Sequence, residues 1–102
     1  MKKTKTTINY EVRAHIAKAL AHPSRLQILD LLQHAELNVN QLTEVIGCDQ
    51  STVSKHLSIL KNVGLIKHRR TGTTHYYTIA CGCLDGLFVC LENLIPKQST
   101  QK

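Results

Sequence analysis

From Ile8 to Leu20 the apolar residues Val12, Ile16, Ala19 and Leu20 recur at three- and four-residue intervals, the period of a helix with one inward face. Pro23 follows, where the first turn of a second helix tolerates it. The segment "PSRLQILDLLQ" then sets Leu26, Leu29 and Leu32 on one side, with Ile28 beside them. In "NVNQLTEVIG" a third helix carries its own boundary signals. Asn38 can accept from a first-turn amide, Gln41 stands three residues on to complete a capping box, and Gly47 ends the helix. Asp49 can cap a fourth helix running from Gln50 to about Val63 and stopped by Gly64.

After Gly64 the period changes. "LIKHRR" and "THYYTIA" are short and β-leaning, with "TGT" between them, which predicts a hairpin with a glycine at its tip. A fifth helix follows over residues 84–95. Leu84, Leu87, Phe88, Leu91, Leu94 and Ile95 form one stripe along it, and Pro96 stops it. The order is four helices, two strands and a closing helix. That is a mainly α fold with a β-hairpin wing: a winged helix-turn-helix extended by a helix at each end. One domain over residues 8–95 is expected, between short polar tails at 1–7 and 96–102 that are expected to fray.

A length of 102 residues suits one such domain, and a hydrophobic content of 42% suffices for a modest core. No apolar run approaches the roughly 18 residues of a membrane span. "MKKTKTT" has no apolar stretch behind it and does not read as a signal peptide. The expected location is the cytoplasm, without a membrane partner. A net charge of +6 and a pI near 9.4 favour a polyanion, most simply nucleic acid. The four aromatics, Tyr10, Tyr76, Tyr77 and Phe88, are too few and too scattered for a single-strand stacking platform, so duplex DNA fits better.

The third and fourth helices are joined by only "GCD", a turn short enough for a helix-turn-helix. In the fourth helix Val53, Leu57, Leu60 and Val63 can pack inward, while Ser51, Lys55, Ser58 and Asn62 share another face with Ser54 and Lys61 beside them. That face carries no acidic residue and offers hydroxyls, amides and ammonium groups to a groove. Solvated faces usually mix signs. The candidate DNA contacts are Gln50, Ser51, Thr52, Ser54, Lys55, His56, Ser58 and Lys61 on this helix, with Arg69, Arg70 and Thr73 on the hairpin. A basic ribbon beside a reading helix suits phosphate contact. The same charges also protect an edge strand from aggregation, and both roles can hold at once. Arg69 and Arg70 are expected to add affinity more than specificity.

"LAHPSRLQILDLL" and "LNVNQLTEVIGCDQSTVSKHLSILKNVGLIKHRRTGTTHYYTI" resemble the ArsR/SmtB family of bacterial winged-helix repressors, over roughly residues 10–95. The resemblance implies a homodimer formed through the first and last helices. It implies a palindromic double-stranded operator, bound until a metal ion, metalloid or other signal is sensed. The apolar stripe of the last helix agrees, since it is wider than one thin domain needs and a two-fold partner would cover it.

The cysteines depart from the family's patterns. The family's thiol site within "ELCVCDL" reads "ELNVNQL" here, so Asn38 and Asn40 replace its two thiols with poor ligands for soft ions. A second family site opens the last helix with Asp-x-His and closes it with His-x-x-Glu. Cys81 and Cys83 stand at its opening, and the closing half falls near Leu94 and Lys97, which cannot ligate. Cys81 and Cys83 are too close in sequence to pair easily as a disulfide. Cys83 and Cys90 lie on nearly one side of a helix but about 10 Å apart along it, too far to share an ion at ~2.3 Å bonds. A site built from Cys81, Cys83 and Cys90 therefore needs an irregular entry at Gly82 or a Cys90 from a partner chain. Such thiolates would favour As(III), Cd(II) or Pb(II) as inducer, with no cofactor needed for folding. Thiol oxidation or persulfidation, and simple packing, are the other readings of these residues. Cys48 reads as a turn residue. No cysteine has an obvious base partner, and His15, His22, His34 and His68 show no ligand spacing, so an enzyme is not expected.

Overall fold

The computed structural model describes residues 8–96. Five helices and three strands follow in order: α1 (Tyr10–Leu20), α2 (Pro23–Leu32), β1 (Leu37–Asn38), α3 (Val39–Ile46), α4 (Gln50–Asn62), β2 (Ile66–Thr71), β3 (Thr74–Ile79) and α5 (Leu84–Leu94). The expected winged helix-turn-helix is present. The tails expected at 1–7 and 96–102 fall, apart from Pro96, outside the described residues.

The first four helices each start with a side chain that satisfies an amide the helix cannot. Asn9 accepts from the Val12 amide at 3.0 Å. His22 accepts from Ser24 through Nδ1 at 3.1 Å, with Pro23 at the first helical position. Asn38 and Gln41 exchange both bonds of the capping box at 2.8 Å. Asp49 accepts from the Thr52 amide at 3.0 Å. Gly47 closes α3 with φ at 88°, a left-handed conformation that a side chain would strain. Only Gly47, Cys48 and Asp49 separate α3 from α4, and this short link fixes the angle of the helix-turn-helix.

The core gathers Ile28, Leu29 and Leu32 from α2, Leu42 from α3, and Val53, Leu57 and Leu60 from α4. Leu65, Ile66 and Leu84 close it from the wing root and the start of α5. Val63, expected inside, is half-buried because α4 ends just before it.

The strand pattern differs from expectation in one respect. Leu37 and Asn38 form β1, which pairs antiparallel with β3 through Leu37–Tyr77 and Asn38–Tyr76. The wing is thus the outer part of a three-stranded sheet ordered β1-β3-β2, not a free hairpin. Two residues carry no alternation, and Asn38 reads first as a helix cap, so β1 has no periodic signal in the sequence.

α5 leaves the core after its first turn. Leu84 is buried, Leu87, Phe88 and Leu91 are half-buried, and Val89, Leu94 and Ile95 are 55%, 78% and 53% exposed. On α1, Tyr10 and Val12 are 69% and 51% exposed. The first and last helices therefore present open apolar faces.

Leu57→Ala is expected to lower unfolding free energy by roughly 2–5 kcal/mol, because a fully buried leucine leaves a cavity. Asn38→Ala is expected to cost about 1 kcal/mol through loss of the cap. Urea denaturation at fixed protein concentration checks both. Equal losses for the two would contradict this placement of the core.

Candidate nucleic-acid interface and cysteine cluster

The outward face of α4 follows from its inward one. Val53, His56, Leu57 and Leu60 recur at i, i+3, i+4 and i+7, and all four are buried. This turns Gln50, Ser51, Ser54, Lys55, Ser58, Lys61 and Asn62 to the surface, with Thr52 half-buried at the edge. Gln50–Asn62 contains no acidic residue, so the exposed ridge is positive or neutral along its whole length.

His56 is a correction. Expected among the DNA contacts of this helix, it belongs instead to the core stripe and is only 7% exposed. Arg25 donates from Nε to His56 Nδ1 at 3.1 Å. Arginine is always a donor here, so Nδ1 must carry the lone pair and the ring is neutral. The same guanidinium donates from Nη1 to the carbonyls of Lys18 and Ala19 at 3.4 and 3.3 Å, near the end of α1. The His22 ring lies 4.4 Å from that of His56. Burial, then the neighbouring His22 and Arg25, hold the His56 pKa below the usual histidine value. This network ties α1 and α2 to the inner side of α4. Nothing in the spacing of Arg25 announces it.

The structure places Arg69, Arg70 and Thr73 on the exposed wing. Gly72 at the tip has φ at 64°. Arg70 donates to the Gly72 carbonyl at 2.9 Å. Arg69 is differently engaged. Its Nε and Nη2 donate to the two carboxylate oxygens of Glu36 at 2.8 Å each, its Nη1 donates to Thr71, and its guanidinium carbon sits 5.1 Å from the Tyr76 ring centroid. The Arg69 hydrogen bonds hold the Glu36 carboxyl below its usual range. On the other face of the sheet His68 lies between Lys61, 3.4 Å from its Nδ1, and the rings of His75 and Tyr77 at 5.2 and 5.7 Å.

A crevice of about 300 Å³ runs between the helix starts and the wing, lined by Asn38, Val39, Asn40, Gln50, Thr73, Thr74 and His75. Of these only Gln50 and Thr73 were expected at the interface. Asn40 and His75 join them because β1 draws the start of α3 against β3, a contact the sequence does not advertise.

The thiols divide. Cys81 is half-buried before α5, and Cys83 is exposed at the N-cap of α5 without capping it. Hydrogen bonding from the Cys83 thiol, then from the Cys83 amide, lowers the Cys81 pKa, and the same contact raises that of Cys83. Cys90 is exposed two turns along α5. Among the described residues no group of three His, Cys, Asp or Glu side chains is placed to hold a metal. The set Cys81, Cys83 and Cys90 is therefore not assembled within one chain: the irregular entry at Gly82 brings the first two together and leaves the third apart. Cys48 sits in the α3–α4 turn, as expected, and its sulfur lies 4.0 Å from the Ser24 hydroxyl and packs against the core.

An acid-free reading helix, a three-residue turn and a basic wing define a DNA-binding winged helix-turn-helix. The family model for the bacterial regulatory proteins of the arsR family matches residues 22–68. The transcriptional repressor PagR of Bacillus anthracis is 35% identical over 86 residues, covering 83% of this chain and 86% of PagR. The transcriptional regulator Rv0324 of Mycobacterium tuberculosis is 42% identical over 79 residues. The match takes in 78% of this chain and 35% of Rv0324, so the chain spans about a third of that relative. The solution structure of the homodimeric winged helix-turn-helix DNA-binding domain of Mb0332 from Mycobacterium bovis superposes with a TM-score of 0.74 at 39% identity, covering 83% of this chain and 79% of that one. The chain belongs to the ArsR family of DNA-binding transcriptional regulators.

The neutral, buried His56 makes stability depend on pH. Its folded pKa is depressed, so its contribution is complete above the ordinary histidine value of about 6.5 and is lost as pH falls below it. The exposed His68, whose pKa is lowered by desolvation and by Lys61 and His75, acts in the same window, whereas Glu36 and Asp49, whose folded pKa values are also lowered, lose their contributions only at more acid pH. The thermal midpoint is expected to fall between about pH 7 and 5, and His56→Gln is expected to flatten that fall. An unchanged pH profile in the variant would show that His56 titrates alike folded and unfolded.

Proposed function

We propose that this chain is a homodimeric, sequence-specific repressor that holds a palindromic double-stranded operator and is released from it by a signal received at its cysteines. The carrying observation is the acid-free outer face of α4, held by a buried inner face and flanked by the basic wing. Ser51, Ser54, Lys55 and Ser58 would enter the major groove with Gln50 at the helix start. Lys61, Arg70 and Thr73 would meet the backbone. The open apolar faces of α1 and α5 support a two-fold partner, as does the homodimeric state of the Mb0332 domain. Two reading helices on one two-fold axis call for two half-sites one helical turn apart. Repression is the sense suggested by PagR. Among the described residues no helix is long and apolar enough to cross a membrane, and the proposed place of action is the cytoplasm.

For the signal, we propose a soft ion of the As(III), Cd(II) or Pb(II) class, bound by Cys81 and Cys83 of one protomer with Cys90 of the partner. Cys90 is exposed on α5, near the open Val89 and Leu94, where an antiparallel partner helix would run. The contact between Cys81 and Cys83 favours a second reading, in which the Cys81 thiolate is oxidised or persulfidated.

Lys55→Glu with Arg70→Glu is expected to abolish duplex binding in a gel shift while leaving the circular dichroism spectrum intact. Retained binding would remove the α4 ridge from the interface. With operator bound, As(III) or Cd(II) is expected to release the protein and to give thiolate absorbance that disappears in the Cys81→Ser, Cys83→Ser and Cys90→Ser variants. Release by peroxide alone, reversed by reductant, would replace the ion with the second reading.

A further inference from the structure

The wing's Arg69 is held by the carboxylate of Glu36. Glu36 precedes β1, and the pairing of β1 with β3 brings it across Tyr76 to the guanidinium on β2. Arg69 pairs directly with Tyr76 across the strands, and Tyr76 pairs with Asn38, so the three lie in a row over the sheet. The planar fork meets both carboxylate oxygens at 2.8 Å, the bidentate geometry that guanidinium also uses on phosphate. Both side chains remain open to solvent, Arg69 at 58% and Glu36 at 32%. At this exposure the pair is screened by solvent and salt, and the guanidinium is free to exchange one bidentate anion for another. A DNA backbone is such an anion, with its charges closely spaced along the helix.

We propose that Glu36 is a built-in competitor for DNA phosphate: it holds Arg69 in the free protein and surrenders it to the backbone in the complex. The proposal rests on the DNA-binding reading above. Its consequence is that a carboxylate of the protein limits affinity without touching a base. The guanidinium must leave one bidentate partner to gain another, so the net gain from Arg69 is smaller than from an unpaired arginine. The alternative role for the same contact is a strap that fixes the wing, with Arg69 never reaching DNA.

The two roles differ in sign. Duplex affinity is measured by fluorescence anisotropy on a labelled mixed-sequence duplex across a salt series, for the full chain and for Glu36→Gln, Arg69→Gln and the double variant. Competition predicts that Glu36→Gln tightens binding roughly two- to five-fold, the scale of one exposed ion pair. It predicts that Arg69→Gln weakens binding and reduces the steepness of the log–log salt dependence by about 0.9, the value for one phosphate contact. It also predicts that Glu36→Gln has no effect once Arg69 is gone. Weaker binding in both single variants, with an unchanged salt slope, would establish the strap and overturn the proposal. An equal gain from Glu36→Gln with and without Arg69 would reduce it to a change in net charge and overturn it as well. No duplex binding by the parent chain would defeat the DNA-binding reading itself, and the proposal with it. Thermal midpoints of the variants confirm that each remains folded.

Discussion

The packing of α4 against α2, α3 and the wing root is the constraint on which the interface depends. A helix has one inward stripe, and in α4 it is filled by Val53, His56, Leu57 and Leu60. Once those four are buried, the direction of every polar side chain on the helix is fixed. The Arg25 guanidinium adds orientation to what apolar packing gives only in area. It spans from the end of α1 to His56, so rotation of α4 about its axis would break a hydrogen bond as well as a contact. The exposed serines and lysines need no partners of their own to be well placed.

Most of the fold was legible because its signals are local. Caps at Asn38 and Asp49, the stop at Gly47, the glycine at the wing tip and the stripe of α5 each announce themselves within a few residues. What was not legible depends on distance. β1 exists because β3 comes to meet it from far along the chain, and two residues hold no period of their own. The Glu36–Arg69 pair follows from β1 and was equally hidden. His56 differs for another reason: it was counted with the polar residues of the reading helix although its position lies in the buried stripe. The heptad spacing from Val53 to Leu60 was available in the sequence and would have placed it correctly.

The cysteines show where sequence geometry was a sound guide. A rise of about 1.5 Å per residue already kept Cys83 and Cys90 apart on one helix, and the structure keeps them apart. The turn at Gly82 brings Cys81 beside Cys83, whose thiol hydrogen bond lowers the Cys81 pKa. This places the more acidic sulfur in a half-buried position beside a cleft of about 290 Å³ that His34 and Asp85 also line. Three residues further along the chain is Leu84, the buried residue with which α5 enters the core.

Asn38 belongs to two elements at once. Its side chain opens α3, and its backbone pairs with Tyr76 in the sheet that extends into the wing. Asn38 is therefore one joint between the helix-turn-helix and the wing, beside the Leu37–Tyr77 pairing. A tilt of α3 would be passed to β3 through this pairing, and a displacement of the ribbon would reach the start of α3. In the proposed DNA complex, such a joint would let the shape of the DNA backbone at the wing bear on the alignment of the reading helix.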